Sequence, residues 1–381
     1  MFCNIFCNFA SDFMNLYVHI PVCRRKCIYC DFYSVGESAV SWKLLTDALI
    51  AELSARAVVT DADYPSTIYI GGGTPSLMPA DEFARLAEAA RSYVPDFSEF
   101  TIEVNPDDVT AERARFWHDC GVNRVSMGVQ SLCDTELRVI GRRHTAAQAV
   151  AAAETLRKRF DNLSLDLMFG LPGQTFNSFR DSVKGVVALQ PDHISAYSLM
   201  YEERTAITAL RDSGRIEEAD EDLSVEMYRM LHALLADAGY EQYELSNYAR
   251  TGRRSLHNGM YWRGLPYVGI GPAAHSYDGR RTRRANLPDI RRYVADPLAA
   301  FEEEHLCDNE LREEMIMTRL RMREGIDLSE FSHRFGDHAK SELLAAAADS
   351  VAAGHLHLSD TGLSLTESGI MISDDIITSL F

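Results

Sequence analysis

Three cysteines, Cys23, Cys27 and Cys30, stand in the run HIPVCRRKCIYCDFY, directly after the short apolar stretch LYVHI. Thiolates are soft ligands that select Fe–S clusters, zinc or Cu(I). A structural zinc takes four protein ligands, commonly as two paired knuckles. No second cysteine or histidine pair at such spacing follows here. A disulfide would leave one cysteine over and gives no reason for the tight spacing. Three cysteines can instead hold a [4Fe–4S] cluster with one iron left open to bind and act on a small molecule. The motif therefore points to chemistry, and a zinc-stapled binding module is the competing reading.

Other residues supply complementary groups. GGGTP, at Gly71–Pro75, follows the strand-like TIYI, and no Gly-Lys-Ser/Thr follows, so it is not a phosphate loop. Its Gly72, Gly73 and Thr74 either let backbone approach a ligand closely or simply make a tight turn before a helix. Glu103 is an acid inside the apolar strand TIEVNP. A buried, unpaired carboxylate is costly, so it must meet a cationic ligand or an Arg or Lys partner. Gln130, Arg142 and Asp166 add neutral, cationic and anionic groups at further strand ends. Together they suit a zwitterionic, ribose-bearing ligand, or else they are solvated rim residues.

The elements that must position these groups alternate. Apolar runs at Leu16–Ile20, Thr67–Ile70, Phe100–Val104, Arg124–Val129, Leu163–Phe169 and Ile194–Leu199 recur at intervals of roughly 25 to 50 residues, the spacing of βα units. Helical patterns lie between them, at Trp42–Ala57, Pro79–Tyr93, Ala111–Cys120, Ala146–Phe160 and Phe176–Leu189. The runs read as near-continuously apolar, as buried parallel strands are. Each ends in something polar or glycine-rich, and chemistry in βα barrels sits where such C-terminal ends converge. The expected fold is α/β: a partial (β/α)6 barrel over residues 14–202, a helical and irregular region over 203–305, and a small winged-helix-like α+β domain over 306–381. LHLSDTGLSLTESG, with Asp360-Thr361-Gly362, is the hairpin of that wing.

Composition narrows the partners. The chain has 381 residues, 46% hydrophobic, with 38 Lys and Arg against 56 Asp and Glu, a net charge of −18. That balance argues against nucleic acid as a partner. The one dense basic run, Gly279-Arg280-Arg281-Thr282-Arg283-Arg284, reads as a solvated loop. No apolar stretch approaches the ~20 residues that span a bilayer. Residues 1–13, with Cys3 and Cys7, lack a basic n-region and a small-residue cleavage site, so they read as an unstructured extension rather than a signal peptide. Eight cysteines without such a signal suggest a reducing, cytoplasmic setting. Cys120, Cys133 and Cys307 are isolated and read as incidental.

CxxxCxxC after the first strand and GGGTP after the second resemble the radical SAM superfamily. YVHIPVC, YIGGGTPS, EVNP, SMGVQS, GRRHT and DLMFGLPGQT resemble, more narrowly, its coproporphyrinogen dehydrogenase group, from about Met14 to the C-terminus. The resemblance implies that Cys23, Cys27 and Cys30 hold a [4Fe–4S] cluster whose open iron binds S-adenosylmethionine and cleaves it to a 5′-deoxyadenosyl radical. It also implies contacts to S-adenosylmethionine from Tyr17, Tyr29, Gly72, Gly73, Thr74, Glu103, Gln130, Arg142 and Asp166. The porphyrinogen-oxidising branch of the group carries a further cysteine two residues after the third. Phe32 stands there in this chain, and His257-Asn258-Gly259-Met260-Tyr261-Trp262 fits the HNxxYW motif of the HemW-type heme chaperone branch. The expected function is thus heme binding and delivery to hemoproteins, with respiratory ones reached at a membrane surface as candidate recipients. Oxygen-independent coproporphyrinogen III oxidation is the alternative, and the two readings differ over whether the chain turns a substrate over. A neutral imidazole is a common heme ligand, which makes His257 the heme candidate, with Tyr261 and Trp262 against the porphyrin. Equally, His257 is a core histidine satisfied by hydrogen bonds. His275 is a second candidate, and His19 lies beside the cysteine loop.

Overall fold

In a computed structural model the described residues are 14–56 and 64–381. The expected extension at 1–13, with Cys3 and Cys7, lies outside them. Six parallel strands form in the expected places: β1 (Asn15–Ile20), β2 (Thr67–Gly72), β3 (Glu99–Val104), β4 (Arg124–Gln130), β5 (Leu163–Phe169) and β6 (His193–Ser198). They pair in chain order, each joined to the next by a crossover. The helices between them include α1 (Trp42–Ala55), α2 (Ala80–Tyr93), α3 (Ala111–Asp119), α4 (Ala146–Arg157) and α5 (Phe176–Ala188). Thr145 and Thr175 cap α4 and α5 with reciprocal side-chain and backbone bonds that satisfy otherwise orphaned N–H groups.

The strands are not apolar on both faces. Leu16, Val18 and Ile20 of β1, Ile68 and Ile70 of β2, and Val125, Met127 and Val129 of β4 face the helices in the main core. Their alternates are polar and still buried: Asn15 and His19, Thr67, Glu99 and Thr101, Arg124 and Ser126, Ser164, His193 and Ser195. Strand side chains alternate with period two, so one face builds the apolar layer and the other fills the hollow of the curved sheet. Near-continuous hydrophobicity misses this because Tyr, Thr, Ser and Gly hide the alternation.

The sheet also runs beyond residue 202. After α6 (Glu221–Asp237), β7 (Glu241–Glu244) and β8 (Asn247–Ala249) extend it antiparallel from β6. Following α7 (Leu256–Trp262), β9 (Val268–Ile270) pairs parallel with the free side of β1. The result is one nine-stranded sheet, β9-β1-β2-β3-β4-β5-β6-β8-β7, with no pairing between its two ends. The stretch from Glu244 to Ala274, irregular by its aromatics and glycines, therefore supplies strands at both edges of the barrel.

A three-stranded sheet of β10 (His275–Tyr277), β11 (Thr282–Asn286) and β12 (Phe301–His305) leads to the C-terminal unit. The basic run enters β11 instead of forming a solvated loop. Arg283 meets Glu314 at 2.8 Å, Arg284 lies 3.8 Å from Glu52, and Arg281 pairs with Asp308. The C-terminal unit has its own core around α8 (Asp308–Leu320) and α9 (Leu328–Ala352), the latter broken at Gly336. Strands β13 (Ile326–Asp327), β14 (Leu356–Leu358) and β15 (Gly362–Leu365) form the wing, with the expected β14–β15 hairpin. Its entry segment seals the end of the main sheet: Leu245 N–H donates to Arg321 O (3.0 Å) and Arg323 N–H to Tyr243 O (3.1 Å).

Candidate cofactor site

The cysteine loop leaves β1 and is held by the apolar residues within the motif. Ile28 N–H donates to Ile140 O (3.4 Å), and Ile28 O accepts from Ile207 N–H (2.9 Å). Ile28 and Tyr29 pack on a satellite cluster of Ile140, Met168, Leu171, Leu199 and Ile207, which fixes the loop over the C-terminal ends of the strands. Cys23, Cys27 and Cys30 are half-buried and free of disulfides. Thr74 hydroxyl donates to Cys23 Sγ (3.5 Å) and Arg142 Nη1 to Cys27 Sγ (3.6 Å). Burial pushes the Cys30 thiol up to about 11. Burial thus favours the neutral thiol over the thiolate.

Arg142 is the junction of the site. Its Nη2 donates to Gly128 O (2.6 Å) and Asn105 Oδ1 (2.9 Å), and Asn105 Nδ2 donates to Thr74 Oγ1 (3.3 Å). The strand-end groups thereby join the cysteine loop in one network. Gln130 sits at the adjoining bulge with a left-handed backbone (φ 67°), a strained conformation for a residue other than glycine. Inside the hollow, Glu103 accepts from Tyr69 hydroxyl (2.7 Å) and Gly72 N–H (3.0 Å). Burial, opposed by these bonds, pushes its carboxyl up to about 7, and burial pushes Asp166 up to about 6 against the pull of Arg124. Two carboxyls held near neutrality in one hollow favour a cationic visitor. Burial also raises the phenols of Tyr17 and Tyr29. Tyr17 hydroxyl is bonded to His19 Nδ1 (2.9 Å).

In the glycine run two N–H groups are spent inside the protein. Gly72 N–H is taken by Glu103 and Gly73 N–H by Ile20 O (2.8 Å). A side chain on Gly73 would strike Ile20 O at 2.8 Å and Val22 N at 2.9 Å. One on Gly72, itself at φ +106°, would strike the His19 ring at 2.5 Å. These glycines let the β2 turn press against the root of the cysteine loop, and their N–H groups are already used.

His257 lies at the other end of the hollow, 1% exposed. Its Nδ1 is bonded to Thr67 hydroxyl (2.7 Å) and its Nε2 to Tyr261 hydroxyl (3.0 Å), and its ring stacks on Tyr69 at 4.8 Å. Burial pushes it down to about 3, so it is neutral. Both ring nitrogens are hydrogen-bonded within the protein, as the core-histidine reading expects. Glu99 accepts the backbone N–H groups of Leu256 (3.0 Å) and His257 (3.0 Å) and lies 3.9 Å from Arg124 Nε. Arg124, 1% exposed, escaped the sequence reading. Its signal was the pairing of an Arg and a Glu at the starts of adjacent buried strands. His275 sits exposed on β10, apart from these contacts.

Residues 17–185 match the family profile of the radical SAM superfamily, and residues 306–372 that of the HemN C-terminal domain. The fold is similar to that of coproporphyrinogen III oxidase (HemN) from Escherichia coli, with a TM-score of 0.81 at 23% identity over 97% of this chain and 90% of that one. Over 371 residues the chain is 33% identical to "Heme chaperone HemW" of Bacillus subtilis (strain 168), covering 94% of this chain and 97% of the relative. It is 34% identical over 381 residues to the protein of the same name from Mycobacterium tuberculosis (strain ATCC 25618 / H37Rv), covering 96% and 94%. The chain belongs to the HemW family of the radical SAM superfamily.

Superfamily membership implies a [4Fe–4S] cluster and S-adenosylmethionine. The donor set fits: three disulfide-free thiols on one loop, two already polarised by donors, stand above two carboxyls near neutrality. Among the described residues no three His, Cys, Asp or Glu side chains stand ready-made as a metal site. Iron–thiolate bonds would therefore have to draw these sulfurs together. None of the described helices is long and apolar enough to cross a membrane.

Proposed function

We propose that this protein binds heme and hands it to recipient hemoproteins, using a cluster held by Cys23, Cys27 and Cys30 and S-adenosylmethionine seated in the hollow. The observation that carries this reading is identity above 30% along nearly the whole chain with proteins named heme chaperones. Phe32 supports it. It is 63% exposed beside the cysteine loop, at the position where the oxidising branch carries a further cysteine. Tyr17, Glu103, Gln130, Arg142 and Asp166 contact S-adenosylmethionine, with Glu103 and Asp166 opposite its cationic groups. Tyr29, Gly72, Gly73 and Thr74 shape the loop around it. When bound, the cluster supplies an electron and an open iron. The chain's own part is to hold the loop, keep Arg142 cationic against Cys27, and present carboxylates to the ligand. The recipients are hemoproteins of a reducing, cytoplasmic setting, including respiratory ones met at a membrane surface.

The test is anaerobic reconstitution, followed by titration with hemin and transfer to an apo-hemoprotein such as apomyoglobin, alongside an assay for coproporphyrinogen decarboxylation. Saturable hemin binding and transfer without decarboxylation are expected. Decarboxylation above controls without hemin binding would overturn the proposal.

A further inference from the structure

Both nitrogens of His257 are hydrogen-bonded within the protein, whereas those of His232 are not. We propose that heme sits in the groove between the far end of the main sheet and the C-terminal unit, with His232 as its axial ligand. This rests on the heme-binding reading above. The groove has a volume of about 490 Å³, within the range of ligand sites that enclose a molecule of this size. One wall is the end of α6 and strand β7; the other is the 320–323 segment with the wing.

His232 and Ala236 stand four residues apart on α6 and so share a face, and both line the groove. Tyr228, one turn earlier, stacks on the imidazole at 6.4 Å with rings 19° apart, and Tyr248 meets it from behind at 6.1 Å. Ring Nδ1 is sealed from solvent with no partner. Nε2 makes no hydrogen bond to any described residue and, unlike Nδ1, is not sealed, so it is the nitrogen open to the groove. The small side chain of Ala236 leaves space beside it. This geometry leaves Nε2 as the ring nitrogen an axial bond to iron would use.

The rest of the groove suits a porphyrin. Leu320, Met322, Leu365 and Ile370 give apolar walls for the macrocycle. Arg323, 62% exposed on its side chain and paired with Glu241, stands at the rim, where a propionate toward water would have to share it with that carboxylate. Glu241 and Glu244 also line the groove but are paired, with Arg323 and with Arg321 (2.9 Å), while Glu367 lines it without an ion pair to any described residue, so apolar contact and the bond to iron must outweigh one carboxylate. The two sides are joined by backbone bonds between residues 243–245 and 321–323, which makes this a seam between the two folded units rather than a surface dent.

Hemin is titrated into the full-length, cluster-loaded protein and into three variants, His232→Ala, Ala236→Trp and His257→Gln, each checked for unchanged iron and sulfide content as evidence of folding. The His232→Ala protein is expected to lose the Soret shift and bind hemin at least tenfold more weakly, and added imidazole is expected to restore the spectrum of a nitrogen-ligated heme. Ala236→Trp fills the groove and is expected to block binding without removing any ligand atom, while His257→Gln keeps wild-type binding. An unaltered Soret spectrum and affinity in His232→Ala would overturn the inference while leaving heme binding intact. Absence of hemin binding in the wild-type protein would overturn both that reading and this one.

Discussion

The barrel hollow and the seam groove both use histidine beside tyrosine, but to opposite ends. In the hollow, His257 is fixed by two hydrogen bonds and a stacked ring, and Arg124 and Glu99 neutralise each other behind it. Each of these side chains has a protein partner, although Arg124 Nε makes no hydrogen bond, because an unpaired group in that setting is costly. In the groove, His232 is held only by ring packing, and its Nε2 is unbonded. The first arrangement is that of a scaffold and the second that of a binding site. Residue type alone does not tell them apart; the count of satisfied atoms does.

The comparison can be broken in several ways. Replacing Cys23, Cys27 and Cys30 together by serine is expected to abolish iron and sulfide in the reconstituted protein while leaving hemin affinity unchanged. Loss of hemin binding as well would show that the two sites are one. Arg124→Met leaves Glu99 without its cationic neighbour deep in the hollow. It is expected to destabilise the protein by about 3 kcal/mol or more, measured by urea denaturation.

A smaller difference separates the histidines. His257→Ala removes both Thr67 and Tyr261 partners from a buried ring and is expected to cost about 2 kcal/mol. His232→Ala, with no hydrogen bond to lose, is expected to cost less than about 1 kcal/mol. Equal losses would remove the distinction drawn between them.

The smallest expected effect is a slope with pH. Glu103 titrates at about 7 against an ordinary 4.5, so the unliganded folded state holds its proton more tightly than the unfolded chain. Its contribution to stability therefore falls as pH rises from 4.5 toward 7. A cationic ligand needs the deprotonated form, so affinity for S-adenosylmethionine is expected to rise as pH increases through about 7. Glu103→Gln is expected to flatten that rise, followed by equilibrium binding with the cluster in place. A slope unchanged in the variant would transfer the role to Asp166.

Much of the scaffold was legible before any coordinates. The six apolar runs coincide with β1 to β6 because buried strands must be hydrophobic on the helix side, and that face was intact in every run. β7, β8 and β9 were missed for the complementary reason. Each is three or four residues long, and sequences such as EQYE and NYA carry no periodicity. Their pairing partners lie far along the chain, and only closure of the tertiary structure brings Val268–Ile270 beside β1.

Of the site, local spacing determined the cysteine loop, the glycine turn and the ring of polar strand ends, since these depend on positions a few residues apart. It could not decide how their hydrogen bonds are spent. That the Gly72 and Gly73 N–H groups are used internally, that Glu99 and Arg124 meet, and that His257 is closed while His232 is open all follow from contacts between distant segments. Hydrogen-bond capacity is a property of each residue, but its satisfaction depends on what the fold places within about 3 Å, and that only the tertiary structure fixes.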